Sequence, residues 1–137
     1  MGAWASGPFD NDDAQDVLQD VLEMTADEAT AALDTMMAAV LDQNGYLEAP
    51  DMSAAIGAAC IVAISHGAPD AEPDLDEWRM ESGFAPDQSM VARAAQVLAR
   101  AAEPVDNEWY DLWDEPGRLE EPLTALLPYR QALTRRM

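Results

Sequence analysis

The stretch that decides the fold is Met52–Ser65, MSAAIGAACIVAIS, which holds no charged residue and consists mainly of alanine and isoleucine. A helix that is apolar on every side is typical of a helix enclosed by other helices. Its small side chains also let neighbouring backbones approach closely. Pro50-Asp51 supplies a helix start and His66-Gly67 a helix stop. The sequence therefore predicts a central, alanine-rich helix.

The segments around this helix show helical periodicity and no convincing strand pattern. The first stripe has the spacing i, i+3, i+4, i+7 and i+8, at Ala14, Val17, Leu18, Val21 and Leu22. Further helices are expected after the capping box Thr25–Glu28, from Asp87, near Trp109 and from Leu119. We predict an all-α fold, in which residues 1–137 form one compact single-domain bundle of about five or six helices.

Two connections follow from the same patterns. The short junction before Thr25 suggests that the first two helices are antiparallel neighbours. The run GAPDAEPDLDE, residues 67–77, concentrates glycine, proline and acids and is expected to be an acidic surface loop. Trp78 should mark the return of the chain to the core.

The first ten residues, MGAWASGPFD, are predicted to form a clasp that leads into the first helix. Asp10 or Asn11 can cap that helix, and Asp12 and Asp13 complement the positive end of its dipole. Phe9 can fold back as an apolar anchor, and a turn at Gly7-Pro8 would bring Trp4 onto the core. An EF-hand loop starting at Asp10 fails because Gln15 and Val21 stand where glycine and glutamate are needed. We therefore predict no metal site.

The charge is strongly asymmetric along the chain. The formal net charge is −20, lysine is absent, and residues 1–78 hold 17 acidic residues and no arginine. Such a field repels nucleic acids and anionic membranes and attracts basic proteins. The alternative explanation of the negative charge is that the proteins of the host are acidic in general.

The N-terminal stretch resembles an uncharacterised bacterial family, one of the catalogued domains of unknown function, whose members begin Gly-Ala-Trp-Gly-x-Gly-Pro-Phe-x-Asn-Asp-x-Ala. The matching residues here are Gly2, Ala3, Trp4, Gly7, Pro8, Phe9, Asn11, Asp12 and Ala14. A late Leu-Trp-acid-acid element of the family is similar to Leu112-Trp113-Asp114-Glu115. Ala5 departs from the pattern, which has glycine there. The resemblance implies family membership and no activity.

Catalytic chemistry finds little support in the sequence. The only histidine, His66, is expected to end the central helix, and the only cysteine, Cys60, to be buried within it. The two are six positions apart on different faces, which argues against a Cys-His pair. Methionines such as Met80 are expected in the core, and no cofactor is predicted. No secretory signal or membrane span is evident, so a cytoplasmic location is expected.

The sequence alone does not reveal a biochemical activity. Our leading hypothesis is a soluble, non-catalytic protein that acts by binding another protein. A sharper version is an immunity-like, anion-mimicking inhibitor of a basic protein such as a nuclease. Its contacts would come from Trp78 as an aromatic anchor and from a possible acidic interface of Asp12, Asp13, Asp16, Asp20 and Asp27. The alternative is an enzyme or small-ligand binder with a pocket between helices, and the oligomeric state is left open.

Overall fold

Seven helices follow one another in the computed structural model, which describes residues 7–43, 45–68 and 72–134. They are α1 (Asp12–Leu22), α2 (Ala26–Leu41), α3 (Ala49–Ser65), α4 (Pro73–Ser82), α5 (Gln88–Ala101), α6 (Glu108–Asp114) and α7 (Glu120–Thr134). Within these ranges no strand occurs, and one isolated bridge joins Leu47 to Asn107. The all-α class is confirmed, whereas the predicted number of five or six helices is too low.

Helix α3 lies at the centre and contacts α1, α2, α5, α6 and α7. All its residues from Met52 to Ile64 are buried except Ala54, which is half-buried. The closest approach is to α1, where a Cβ atom added to Gly57 would lie 3.1 Å from the Cβ of Ala14. The central helix predicted from Met52–Ser65 is therefore observed, and its small side chains set the distance to α1.

Local side-chain caps start the helices where the sequence indicates. The Asn11 side chain accepts a hydrogen bond of 2.9 Å from the Ala14 N–H and caps α1. Thr25 and Glu28 form the predicted capping box of α2. Asp87 caps α5 by accepting a hydrogen bond from a backbone N–H of the first turn. These caps satisfy N–H groups that the helices cannot satisfy internally.

The expected pairing of α1 with α2 is wrong. Each packs along α3, and the two do not pack along one another. The reason is that α3 is apolar on all sides, so each amphipathic helix buries its stripe on α3 instead of on its neighbour in sequence.

The loop predicted at residues 67–77 is shorter than expected, because α4 begins at Pro73. Proline and the acidic residues Asp74 and Asp76 mark loops, but they also favour the first turn of a helix. Leu75 and Trp78 lie on the buried side of α4. The Arg79 guanidinium donates a 3.1 Å hydrogen bond to the carbonyl of Ile64 near the end of α3, which ties the two helices together.

A buried asparagine fixes α6 relative to α5. The Asn107 side-chain amide donates to the carbonyls of Arg100, Ala101 and Glu103 at 3.0–3.3 Å. Its carbonyl oxygen accepts a 3.1 Å hydrogen bond from the Tyr110 N–H at the start of α6. One side chain therefore satisfies the end of one helix and the beginning of the next.

Several apolar residues expected in the core lie at the surface. Met80 is 86% exposed. The spacing of Val105 and Leu112 with Trp109 and Trp113 predicts that all four share one side of a short helix, yet Val105 and Leu112 are 64% and 45% exposed. A proline at position 128 predicts a kink or a break in the last helix, yet α7 continues through Pro128 from Glu120 to Thr134. Trp109 and Trp113 form the buried side of α6.

The contact between Gly57 and Ala14 predicts that Gly57→Val lowers the free energy of unfolding by about 1–3 kcal/mol, because the added methyl groups overpack the α1–α3 interface. Urea unfolding followed by circular dichroism measures the loss. Ala54→Val is the matched control, since Ala54 belongs to the same helix and is half-buried. Equal losses in the two variants would contradict a close approach at Gly57.

The two N-cap asparagines predict different responses to the same substitution. Asn107→Asp keeps the oxygen atom that caps α6, but it replaces the amide NH2 group with a carboxylate oxygen that lies against three carbonyl oxygens. The variant should therefore lose roughly 2–4 kcal/mol of unfolding free energy. Asn11→Asp should be nearly neutral, because α1 uses only the acceptor atom of its cap. Thermal unfolding of both variants tests this, and similar melting temperatures would contradict the role of the Asn107 amide.

Candidate functional site

The candidate site is a cavity of about 210 Å³ at the N-terminal end of α3, here called the tryptophan pocket. Four parts of the chain line it. They are the residues before and within the first turn of α1 (Gly7, Pro8, Asn11, Asp13), the start of α3 (Ala49, Pro50, Ser53, Ile56), α6 (Trp109, Leu112, Trp113) and the first half of α7 (Pro122, Leu126). Both stretches that carry the sequence resemblance contribute to this one pocket.

A tight turn holds the front wall of the pocket in place. The Gly7 N–H donates 2.9 Å to an Asp10 carboxylate oxygen, and the Asp10 N–H donates 3.1 Å to the Gly7 carbonyl. A Cβ on residue 7 would lie 2.4 Å from the same carboxylate oxygen, so a larger residue would displace the Asp10 side chain and break this hydrogen bond. Phe9 is buried, and its carbonyl accepts a 2.7 Å hydrogen bond from the Gln15 side chain. The turn and the anchor together place Asn11 at the start of α1.

The back wall of the pocket belongs to α6. Trp109 and Trp113, four residues apart, are both buried. A carboxylate oxygen of Glu108 accepts a 2.7 Å hydrogen bond from the Ala49 N–H in the first turn of α3. This contact links the helix that carries the tryptophans to the start of the central helix.

Trp113 already holds one cation of the chain. The guanidinium carbon of Arg118 lies 5.4 Å from the centre of a Trp113 ring, a cation–π distance. Arg118 also donates two hydrogen bonds, of 2.8 and 2.9 Å, to the two carboxylate oxygens of Glu121. The Arg118 charge is therefore balanced by its own acid.

Asp13 lines the pocket, and three further carboxylates act on it electrostatically. Burial raises the pKa of Asp13, and the negative charges of Asp16, Asp12 and Asp51 raise it further. The ion pairs in the described part of the chain are Asp76–Arg79, Asp34–Arg93, Arg100–Glu103 and Arg118–Glu121. Four of the five described arginines are therefore paired with carboxylates other than Asp13.

The structure groups only part of the acidic interface suggested by the sequence. Asp12, Asp13 and Asp16 lie together, with Asp51 as a fourth member that the sequence reasoning missed. Asp20 lies about two turns further along α1, and Asp27 is in the first turn of α2, past the far end of α1. Both are exposed but distant from the pocket along α1.

Two tryptophans, Trp78 and Trp4, were predicted to make specific contacts. Trp78 is 6% exposed, and its indole N–H donates 2.9 Å to the Met24 carbonyl. Its ring also packs against Phe84 at 5.2 Å. The expectation that Trp78 anchors a partner is therefore wrong, because its polar atom and its ring are both engaged inside the protein. Trp4 lies outside the described residues, and its placement on the core stays a prediction.

The residues considered for catalysis lie away from the pocket. Cys60 is fully buried, and burial raises the pKa of its thiol far above the ordinary value. His66 is at the C-terminal end of α3, about 15 Å along the helix axis from the pocket residue Ile56. Among the residues that the structure describes, no group of three or more histidine, cysteine or acidic side chains is arranged for a metal ion. No helix in those ranges has the length and apolar character to cross a membrane.

The sequence analysis did not identify the remaining pocket residues as candidate site residues. Ser53 looked like one more small residue of the central helix, and Pro122 like a first-turn proline. They become pocket residues only because α3 and α7 approach each other at this end.

The raised pKa of Asp13 predicts a pH-dependent difference between Asp13→Asn and Asp12→Asn. Both variants remove a first-turn carboxylate, so the loss of the helix-dipole interaction cancels in the comparison. Because the pKa of Asp13 is higher in the folded chain, its ionised form destabilises the fold at neutral pH. At pH 7 Asp13→Asn should melt about 1–2 °C above Asp12→Asn. The gap should close below about pH 4, and a gap that persists at pH 3 would contradict this origin.

Residues 2–125 of the chain match the family described as a domain of unknown function, DUF4259. Searches of curated proteins and of solved structures found no match. The matched range contains α1 to α6 and the first turns of α7, and with them every residue of the tryptophan pocket except Leu126. The chain therefore belongs to the DUF4259 family, a family of unknown function.

Proposed function

We propose that this protein is a non-catalytic binding protein that recognises a basic protein partner through the tryptophan pocket and the carboxylates at its front. One observation carries the proposal. The apolar pocket and an acidic group without cationic partners among the described arginines meet at the same end of α3.

The lining of the pocket suits an interface anchor. Two tryptophans, two leucines and an isoleucine supply apolar walls, while Asn11, Asp13 and Ser53 supply polar atoms. Binding energy at protein interfaces concentrates in such apolar, tryptophan-containing pockets, and charged groups around them favour the correct partner. The partly exposed Leu112 extends the apolar surface to the rim.

The charge of the chain supports a basic partner. The net charge is −20, and the part of the sequence that forms α1, α2 and α3 holds no lysine or arginine. A field of one sign speeds association with proteins of the opposite charge. Inhibition of a basic protein such as a nuclease, and a cytoplasmic location, are narrower forms of this proposal.

The main alternative is an enzyme or small-ligand binder that uses the same pocket. Asp13 favours it, because a carboxylate with a raised pKa in a cavity is a frequent feature of functional sites. The size of the cavity points the other way. Sites for small molecules and cofactors usually enclose about 300–1,000 Å³, whereas this pocket holds about 210 Å³. A group the size of one side chain fits it better.

The proposal predicts that a variant with Asp12, Asp16 and Asp51 changed to asparagine loses most of its partner. Three neutralised charges at an exposed rim should weaken binding roughly tenfold. Tagged protein is used to capture partners from lysate of the native cell at low and high salt, and bound proteins are quantified by mass spectrometry. We expect a basic protein that wild type retains at low salt and releases at high salt.

The matched control changes Asp20, Asp27 and Asp42 to asparagine, which removes the same charge from exposed positions that do not act on the pocket residue Asp13. It should retain the partner. Equal loss in both variants would show that net charge and not the pocket governs binding. A retained partner that is acidic, or one that is insensitive to salt, would contradict the proposal.

A further inference from the structure

We propose that the tryptophan pocket receives one arginine side chain of the partner, with its guanidinium beside Asp13 and its stem against Trp109 and Trp113. This inference rests on the proposed function, because it names the group by which a basic partner would be anchored. The volume of the pocket, the residues of its walls and the charge beside it each restrict which side chain can bind there.

The walls are suited to a flat cation with an apolar stem. Indole rings attract cations over their faces, and the methylene groups of arginine gain from burial against them. The structure contains an example, because Trp113 already packs with the guanidinium of Arg118 at 5.4 Å. Arg118 is held by Glu121, so its charge is offset close by.

The acceptors come from α1 and α3, whereas the rings belong to α6. Asp13 lines the pocket, and Asp12, Asp16 and Asp51 are close enough to raise the pKa of its carboxyl group. A bound cation would relieve this repulsion between like charges. Ser53, a buried hydroxyl on the α3 wall, is an additional acceptor.

Arginine fits these walls better than lysine. Its planar guanidinium is less strongly hydrated than an ammonium group, stacks on aromatic rings and presents several donors at fixed angles. Carboxylates bind it through two hydrogen bonds at once. A lysine ammonium is a point charge that keeps its water more strongly, and an apolar pocket provides little to replace that water.

The test uses three capped tripeptides with the full-length protein: acetyl-Ala-Arg-Ala-amide, the same peptide with citrulline, and the same peptide with lysine. Citrulline has nearly the shape of arginine but carries no charge. NMR titration at low salt measures dissociation constants in the weak range expected for a single side chain. The arginine peptide should bind about tenfold more tightly than either of the others.

Two internal controls locate the binding site. The indole N–H signals of Trp109 and Trp113 should shift during the titration, whereas that of Trp78 should not, because its indole N–H is bonded to the Met24 carbonyl. Asp13→Asn should remove the preference for arginine over citrulline. Asp20→Asn changes the same charge on the same helix away from the pocket and should keep the preference.

Several results would overturn the inference. They are equal binding of the arginine and citrulline peptides, equal binding of arginine and lysine, and a preference that survives Asp13→Asn. Tighter peptide binding by Trp4→Ala would assign the pocket to the chain's own N-terminal segment instead. If the arginine preference is absent while the rim variant still loses its basic partner, the inference fails and the proposed function stands.

Discussion

Burial of an uncharged helix on all sides is the constraint on which the rest of the structure depends. Helix α3 can satisfy it only if other helices surround it, and five of them contact it. Its small residues then determine how close each neighbour comes, most clearly where Gly57 meets Ala14 of α1. The position of α1 in turn brings Asn11 and Asp13 beside the first turns of α3. The front wall of the pocket is therefore a consequence of core packing.

The pocket forms because helices of unequal length meet at one end of α3. Helix α6 has seven residues, and its tryptophans reach that end through the hydrogen bond between Glu108 and Ala49. Asn107 fixes the same helix from the other side by joining it to the end of α5. Polar contacts thus decide where the apolar tryptophans lie, and these contacts link residues far apart in sequence.

Features set by neighbouring residues were predictable, and features set by distant contacts were not. The caps at Asn11 and Thr25 and the apolar run of α3 depend on a few consecutive residues, and the sequence identified them. Helix α4 was missed because Pro73 and its acids mark both loops and helix starts. The pocket was not predictable, since nothing in the sequence near Asp13 indicates that Trp109 lines the same cavity. The burial of Trp78 agrees with the expected return of the chain to the core, whereas the hydrogen bond from its indole to the Met24 carbonyl joins distant residues and was not predictable.

The negative charge has two explanations, the acidity of the host's proteins in general and the binding of a basic partner. The distribution of the acids along the structure bears on both. An acidic host proteome would place carboxylates over the solvent-facing surface without regard to any cavity. The charges of Asp12, Asp16 and Asp51 instead act on Asp13 at the pocket, and together with its desolvation they raise the pKa of Asp13 and so oppose folding at neutral pH. An arrangement that opposes folding is expected at sites that bind a complementary group. The proposed cationic ligand group would account for the acids of this one region, and composition is sufficient for the acids elsewhere.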